Sequence, residues 1–176
     1  MTRKSRIRAV LVTAAAVATA ATVTVGVSVA DQDGSAKSAK GAEVAHLRPT
    51  EKQVAALFDN WNAALQTGDP GKVADLYAKD AVLLPTVSNQ VRTDRAGIVD
   101  YFEHFLANKP AGKKIETYVN VLDGNSAIDT GVYQFTLTDP KTGGKSVVKA
   151  RYTYEYEKRN GRWLIVNHHS SAMPEG

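Results

Sequence analysis

The sequence of 176 residues contains no cysteine. A disulfide framework, a thiol nucleophile and a cysteine-ligated metal site are therefore excluded, and several enzyme classes with them. Two nucleotide signatures are also missing. The chain has no Gly-x-Gly-x-x-Gly loop for a dinucleotide, and it has neither a glycine-rich loop nor a His-Arg-Asp motif for phosphoryl transfer. Dinucleotide-dependent oxidoreductase activity has little support, and kinase activity is excluded.

Most of the chain lacks a net charge of either sign. The 22 Lys and Arg residues outnumber the 18 Asp and Glu residues, but the four surplus cations all lie before Ala30, where no acid occurs. The remainder carries equal numbers of the two signs. Because no basic stripe for a phosphate backbone is present, we expect no nucleic-acid partner.

The first thirty residues have a basic start, an uncharged Ala/Val/Thr stretch and a small-residue end at Ala30. This pattern is typical of a signal peptide and predicts a secreted protein with no membrane contact after cleavage. The alternative is a retained membrane anchor, since the stretch is about long enough to span a bilayer. Residues 31–48 are poor in large apolar side chains and predict a disordered linker, which leaves 49–176 as the folded domain.

Helical periodicity follows the linker. Thr50 and Gln53 form a predicted capping box ahead of one apolar stripe, and Asp69-Pro70 predicts the start of a second, short helix. Thr93 or Asp94 caps a third helix. The apolar residues that share a face on these helices are Val54, Leu57, Phe58, Trp61 and Leu65, then Val73, Leu76 and Tyr77, then Ile98, Phe102, Phe105 and Leu106.

After Pro110 the apolar residues change from helical spacing to alternation with polar residues, as in β-strands. A brief strand is predicted at 81–84, and four strands follow at 115–122, 127–138, 147–158 and 163–172, with a turn signal at Asn160-Gly161. Three helices followed by a long antiparallel sheet predict an α+β domain with the helices on one face.

A two-residue turn at Asn160-Gly161 fixes which side chains share a face. It pairs Tyr156 with Ile165, Tyr154 with Asn167 and Tyr152 with His169. Because burial of this aromatic face is favourable, we expect it to pack against the helices, with Asn167 and His169 pointing inward. Leu164 and Val166 then lie on the other face and predict cover by a second subunit.

Residues 50–175 resemble the nuclear transport factor 2-like superfamily, through "GDPGKVADLYAKDAVLLP" and "NGRWLIVNHHSSAMP". More narrowly, the chain is similar to the association (hub) domain of calcium/calmodulin-dependent protein kinase II and its stand-alone, SnoaL-like bacterial relatives. The resemblance implies a cone of three helices and a curved sheet around a pocket, and assembly into a homodimer or higher homo-oligomer. It also implies that Tyr154 and Ser170 stand where the kinase hub has arginines.

The predicted pocket contains one candidate general base, His169, which Asn167 or Tyr152 could orient. Simple burial of this histidine beside a tyrosine hydroxyl is the alternative reading. The candidate ligand-binding residues are Trp61, Tyr77, Tyr133, Tyr152, Tyr154 and Asn167. Adjacent residues on a strand point to opposite faces, so His168 and His169 cannot bind one metal together, and neither a metal nor another cofactor is expected.

Two functions remain open from the sequence. The first is an oligomeric, non-kinase domain that binds a small organic ligand between helices and sheet. The alternative is a small isomerase, dehydratase or hydrolase that uses His169 as its base. Whether the protein is an enzyme is therefore undecided at this stage, and a purely structural association module is a third possibility.

Overall fold

The computed structural model describes residues 48–174. The predicted signal peptide and all but the last residue of the predicted linker lie outside this part. The helices are α1 (Glu51–Ala55), α2 (Leu57–Gln66), α3 (Pro70–Ala74) and α4 (Arg95–Leu106). The strands are β1 (Tyr77–Leu84), β2 (Ala111–Val121), β3 (Ser126–Thr138), β4 (Lys145–Arg159) and β5 (Arg162–Ala172).

The helix starts follow the sequence signals. Thr50 and Gln53 form the reciprocal capping box of α1, Asp69 caps α3 with Pro70 in its first turn, and Asp94 caps α4. The first predicted helix is divided at Ala56 into α1 and α2, but its apolar residues keep one inward face. The short helix ends earlier than expected, because Tyr77 already belongs to β1.

The five strands form one mixed sheet in the order β1-β5-β4-β3-β2. The last four strands pair antiparallel, as predicted. Strand β1 differs, because it is longer than expected and pairs parallel with β5. A parallel neighbour requires a long crossover, and the chain from α4 through β4 supplies it. The α+β fold with helices packed on a curved sheet is confirmed.

The β4–β5 hairpin has the predicted two-residue turn. Asn160 and Gly161 both have positive φ, at 51° and 78°, and Arg159 pairs with Arg162 across the turn. Positive φ at both central positions matches the right-handed twist of the strands, which is why Asn-Gly is favoured here.

Side chains from α2 close the free edge of β2. The Asn62 amide donates to the carbonyl of Gly112 (3.0 Å) and accepts from its N–H (2.9 Å). Gln66 donates to the carbonyl of Pro110 at 2.6 Å. The start of β2 is therefore held by side-chain amides in the way that another strand would hold it.

No helix within residues 48–174 is long and apolar enough to cross a membrane.

Glycine is required at position 131, where β3 pairs with the irregular part of β2. The pairing shifts by one residue between Lys114 and Glu116, and this shift brings the Glu116 carbonyl over Gly131. A Cβ at position 131 would overlap the Glu116 carbonyl oxygen and lie 2.7 Å from its carbon. These are backbone atoms, which cannot move aside as a flexible side chain would.

We therefore expect Gly131→Ala to lower the free energy of unfolding by about 2–3 kcal/mol, as overpacking of a tight site does. The control is Gly144→Ala, in the β3–β4 connection, where the nearest neighbour is the Thr142 hydroxyl at 3.2 Å. Urea unfolding of both variants measures the difference. Equal stability of the two variants would contradict the close approach of β2 and β3.

Candidate functional site

The inward face of the sheet is aromatic, as predicted. Tyr152, Tyr154 and Tyr156 on β4 are 2%, 0% and 2% exposed. The Tyr152 and Tyr154 rings pack against Phe58 of α2, and the Tyr156 ring stacks on Tyr154. Tyr154 meets the Trp61 ring edge to face at 5.7 Å between centroids. Such contacts add to the gain from burying apolar area. The aromatic side chains therefore fix the helices on the sheet and form the walls of the site.

An extra residue in β5 reverses the predicted orientation of the two histidines. Tyr156 pairs with Ile165 as expected, but Glu155 pairs with Asn167, so that Val166 is a β-bulge. A bulge shifts the alternation by one residue. Beyond it, Tyr154 pairs with His168 and Tyr152 with Ser170, whose side chains point inward with those of the tyrosines.

The inward placement of His169 and Asn167 was therefore wrong. His169 is exposed on the outer face of the sheet and Asn167 is half-buried there, whereas His168 is 3% exposed. Val166 causes this reversal, since a regular ladder from Asn160-Gly161 would have placed His169 opposite Tyr152. His169 does not face the interior and cannot serve as a base there.

His168 lies in a directed chain of hydrogen bonds. The indole N–H of Trp61 donates to the Tyr77 hydroxyl at 3.1 Å, and this hydroxyl is 2.8 Å from Nδ1 of His168. Because an indole N–H can only donate, the Tyr77 oxygen accepts from it, and the Tyr77 proton finds its acceptor in Nδ1 when that nitrogen is unprotonated. The proton of the neutral imidazole is then on Nε2, which is 3.5 Å from the Tyr133 hydroxyl.

Burial keeps the His168 imidazole neutral. Desolvation lowers the pKa of His168 to about 3, and the neighbouring His169 contributes a smaller effect in the same direction. The Tyr154 ring stacks on the imidazole at 4.1 Å between centroids, and the Trp61 ring contacts it edge to face at 5.5 Å. Burial also raises the pKa of Tyr77, Tyr133 and Tyr154, so these phenols keep their protons near neutral pH.

Ser170 and Thr86 continue the polar chain beyond Tyr133. The Tyr133 hydroxyl donates to Oγ of Ser170 at 2.5 Å, and Ser170 bonds in turn to the Thr86 hydroxyl. The sequence reasoning did not place Ser170 or Thr86 in the site. Ser170 was predicted on the outer face for the same reason as His168: the prediction assumed a regular strand without the bulge at Val166.

These residues border a cavity of ≈ 220 Å³ between α4, the segment after β1, and the sheet. The residues that line it are Trp61, Leu83, Pro85, Thr86, Val87, Tyr101, Phe102, Phe105, Asn108, Tyr133, Phe135, Leu137, Val148, Ala150, His168 and Ser170. None of them is an acid, a lysine or an arginine. The cavity is thus lined mainly by apolar side chains, with uncharged hydroxyl, amide and imidazole groups among them.

The predicted ligand-binding residues divide into three groups. Trp61 and Tyr133 line the cavity. Tyr77, Tyr152 and Tyr154 are buried behind it, where Tyr77 and Tyr154 contact His168. Asn167 lies on the outer face. The structure therefore brings most of these residues together, but those that shape the cavity wall also include Phe102 and Phe105 of α4.

A buried carboxylate lies apart from the cavity, on β3. Asp129 is fully buried, accepts a 2.9 Å hydrogen bond from the Tyr152 hydroxyl, and is 3.5 Å from Nζ of Lys114. Desolvation raises the pKa of Asp129, while Tyr152 and Lys114 oppose the rise. Side chains alternate between the two faces along β3, and Ala127 and Tyr133 point inward. The sequence could therefore have indicated that the side chain of residue 129 also points inward. No group of three or more possible metal ligands occurs within residues 48–174.

The comparisons with known proteins agree with this geometry. The family model described as the calcium/calmodulin dependent protein kinase II association domain matches residues 50–174. The chain belongs to this family. A solved structure from Xanthomonas campestris, named as an association domain of this type, is 64% identical, with a TM-score of 0.71 over 73% of this chain and 91% of the other. No curated protein matches the chain.

More distant solved structures share the fold of this association domain. A nuclear transport factor 2-like superfamily protein from Salmonella enterica is 16% identical, with a TM-score of 0.62 over 71% of this chain and 92% of the other. A protein from Streptomyces avermitilis, named as a dehydratase of the same family, is 15% identical, with a TM-score of 0.63 over 70% and 97%. At this identity the likeness shows the fold alone.

The neutral state of His168 makes the stability of this association domain depend on pH. Its pKa is lower in the folded chain than the ordinary value of 6.5, so the unfolded chain takes up the proton first as the pH falls. The stabilisation is complete above about pH 6.5 and is lost progressively toward pH 3. We expect His168 to account for a loss of about 1.7 kcal/mol of unfolding free energy between pH 6.5 and 5, with a slope that approaches about 1.4 kcal/mol per pH unit at the lower end.

Chemical denaturation across this interval tests the expectation. His168→Gln removes the titrating group and reduces this loss by that amount. If the native chain and His168→Gln lose stability equally between pH 6.5 and 5, His168 is not held neutral by burial.

Proposed function

We propose that this association domain binds a small, largely apolar organic molecule in the cavity beside His168, as part of a homo-oligomer without phosphoryl-transfer activity. The observation that carries the proposal is the neutral His168 at the wall of an otherwise apolar cavity, held by Trp61 and Tyr77. The basic and apolar pattern of residues 3–30 supports export as part of the same proposal.

The size of the cavity supports a ligand with a single ring or a short chain. An apolar cavity of about 150 Å³ engineered into another protein holds benzene. The cavity here, at ≈ 220 Å³, has room for a ring with a substituent. Three of its polar groups are hydrogen-bonded neighbours, those of Tyr133, His168 and Ser170, so they can orient one polar atom of the ligand while the apolar walls contact its apolar surface.

Binding is better supported than catalysis by His168. Its Nδ1 accepts from Tyr77 and its low pKa makes it a weak base near neutral pH. His169, the base of the enzyme hypothesis, lies on the opposite face of the sheet. The buried carboxylate of Asp129 does not line the cavity. Among the described residues that line the cavity, none is therefore poised as a general base.

Self-association through the outer face of the sheet is the second part of the proposal. One row across this face contains Tyr118, Thr130, Thr153 and His169, which are paired from strand to strand. Tyr118 is 61% exposed, and the half-buried Val132, Leu164 and Val166 lie on the same face. Cover by a second copy would remove this apolar surface from water.

Filling the cavity tests the binding proposal. We expect 3-phenylpropan-1-ol to bind the native chain, and Ala150→Phe, which places a ring in the cavity wall, to weaken this binding at least tenfold. The control is Ala63→Phe, on the exposed side of α2. Isothermal titration calorimetry measures both, with circular dichroism to verify folding. Equal affinity of the two folded variants would contradict binding in this cavity.

A charge on the outer face tests self-association. We expect the native chain to have at least twice the subunit mass by light scattering at micromolar concentration. Val132→Lys places a like charge in both copies at a desolvated contact and should yield a monomer, whereas Thr142→Lys, in the exposed β3–β4 connection, should not. A monomeric native chain would refute the interface, and an unchanged Val132→Lys oligomer would place it elsewhere.

A further inference from the structure

The hydroxyls of Ser170 and Thr86 form a pair at the wall of the cavity. Both residues line the cavity, Ser170 from β5 and Thr86 from the segment after β1. The pair also receives a proton from a neighbour, because the Tyr133 hydroxyl donates to Oγ of Ser170 at 2.5 Å. The hydrogen-bonded groups along this wall therefore end in two adjacent hydroxyls.

One hydroxyl proton of the pair has no acceptor, whichever way the pair is oriented. If Ser170 donates to Thr86, the Thr86 proton is left over, and if Thr86 donates to Ser170, the Ser170 proton is left over. Neither side chain has a further hydrogen-bond partner among residues 48–174. Because an unused donor beside apolar walls is costly, the pair favours an acceptor atom in the cavity.

The same cavity disfavours a ligand with a charge. No acid, lysine or arginine lines it, and burial lowers the pKa of His168 to about 3, so the imidazole stays neutral. An ion that enters such a space loses its hydration without meeting an opposite charge. A neutral acceptor, such as the carbonyl oxygen of a ketone or an ester, loses much less.

We propose that the ligand of the cavity is a neutral carbonyl compound whose oxygen accepts the free hydroxyl proton of the Ser170–Thr86 pair. This inference rests on the proposed ligand-binding function and adds the chemical class of the ligand. A carbonyl oxygen has two lone pairs and no proton, so it fits a site that offers a donor. The apolar part of the molecule contacts the aromatic walls supplied by Trp61, Phe102 and Phe105.

Two probes of the same shape test the charge. The ketone 4-phenylbutan-2-one and the acid anion 3-phenylpropionate share one skeleton, with a methyl group in place of one carboxylate oxygen. We expect the native chain to bind the ketone at least tenfold more tightly than the acid at pH 7.5, where the acid is ionised. Isothermal titration calorimetry measures both affinities. A smaller preference, or tighter binding of the acid, would overturn the inference.

Removal of the hydroxyls tests the donor. In 2-methyl-4-phenylbut-1-ene a CH₂ group replaces the carbonyl oxygen, so this alkene has the shape of the ketone but lacks its acceptor. The triple variant Thr86→Val, Tyr133→Phe, Ser170→Ala removes both hydroxyls of the pair and the hydroxyl that could replace them. We expect the ratio of ketone affinity to alkene affinity to fall about tenfold in this variant. Displacement of the ketone in the calorimeter measures the alkene.

The matched control is Thr130→Val with Thr153→Val, because these two hydroxyls bond to each other at 3.1 Å on the outer face of the sheet. The control should keep the native ratio, and circular dichroism verifies that each variant is folded. An unchanged ratio in the triple variant, or an equal fall in the control, would overturn the inference and leave the cavity proposal standing. Should the triple variant not fold, the comparison of ketone with acid in the native chain decides alone. If neither the ketone nor the alkene binds the native chain, both proposals are overturned.

Discussion

The position of one extra residue in β5 determines what the interior of this domain contains. Because Val166 is an extra residue in the pairing of β5 with β4, the residues that point inward change at this position. Odd-numbered residues point inward between the turn and Ile165, and even-numbered residues point inward from His168 onward. The first arrangement buries Ile165 among the aromatic side chains, and the second buries His168 and Ser170. The cavity therefore receives an imidazole and a hydroxyl whose partners, Tyr77 and Tyr133, come from other strands.

The polar chain around His168 begins at a group that can only donate, the indole N–H of Trp61. The Tyr77 oxygen accepts from it, and a Tyr77 proton donated to Nδ1 places the His168 proton on Nε2. Each of these side chains is buried, and each finds a partner in the next, which makes the cost of burying them small. The same packing leaves the buried hydroxyls of Tyr154 and Tyr156 without a hydrogen-bond partner among residues 48–174.

Much of the fold could be predicted from local signals. Thr50 with Gln53, Asp69 with Pro70 and the Asn160-Gly161 turn each act over a few residues, and each occurs where the sequence places it. The parallel pairing of β1 with β5 could not be read in this way, because it joins strands about ninety residues apart in the chain. The inward tyrosines followed from alternation and were placed correctly.

The site was predicted only in part, for a physical reason. Alternation assigns faces correctly only while the ladder is regular, and nothing local in "WLIVNHH" marks Val166 as the residue that interrupts it. The assignments up to Ile165 were therefore right, and those of Asn167, His168, His169 and Ser170 were reversed. Asp129 and Ser170 carry no motif of their own, so their partners become evident only when strands β2 to β5 are assembled into one sheet.

The two hydrogen bonds between the Asn62 side-chain amide and the Gly112 backbone affect how copies of the domain can associate. An open sheet edge invites another strand to add to it, which leads to uncontrolled fibre-like growth. In this domain, the backbone groups of Gly112 at the start of that edge already form hydrogen bonds with α2. The register shift between Lys114 and Glu116 then interrupts the regular strand geometry that an added strand would need. Strand addition at this edge is therefore discouraged.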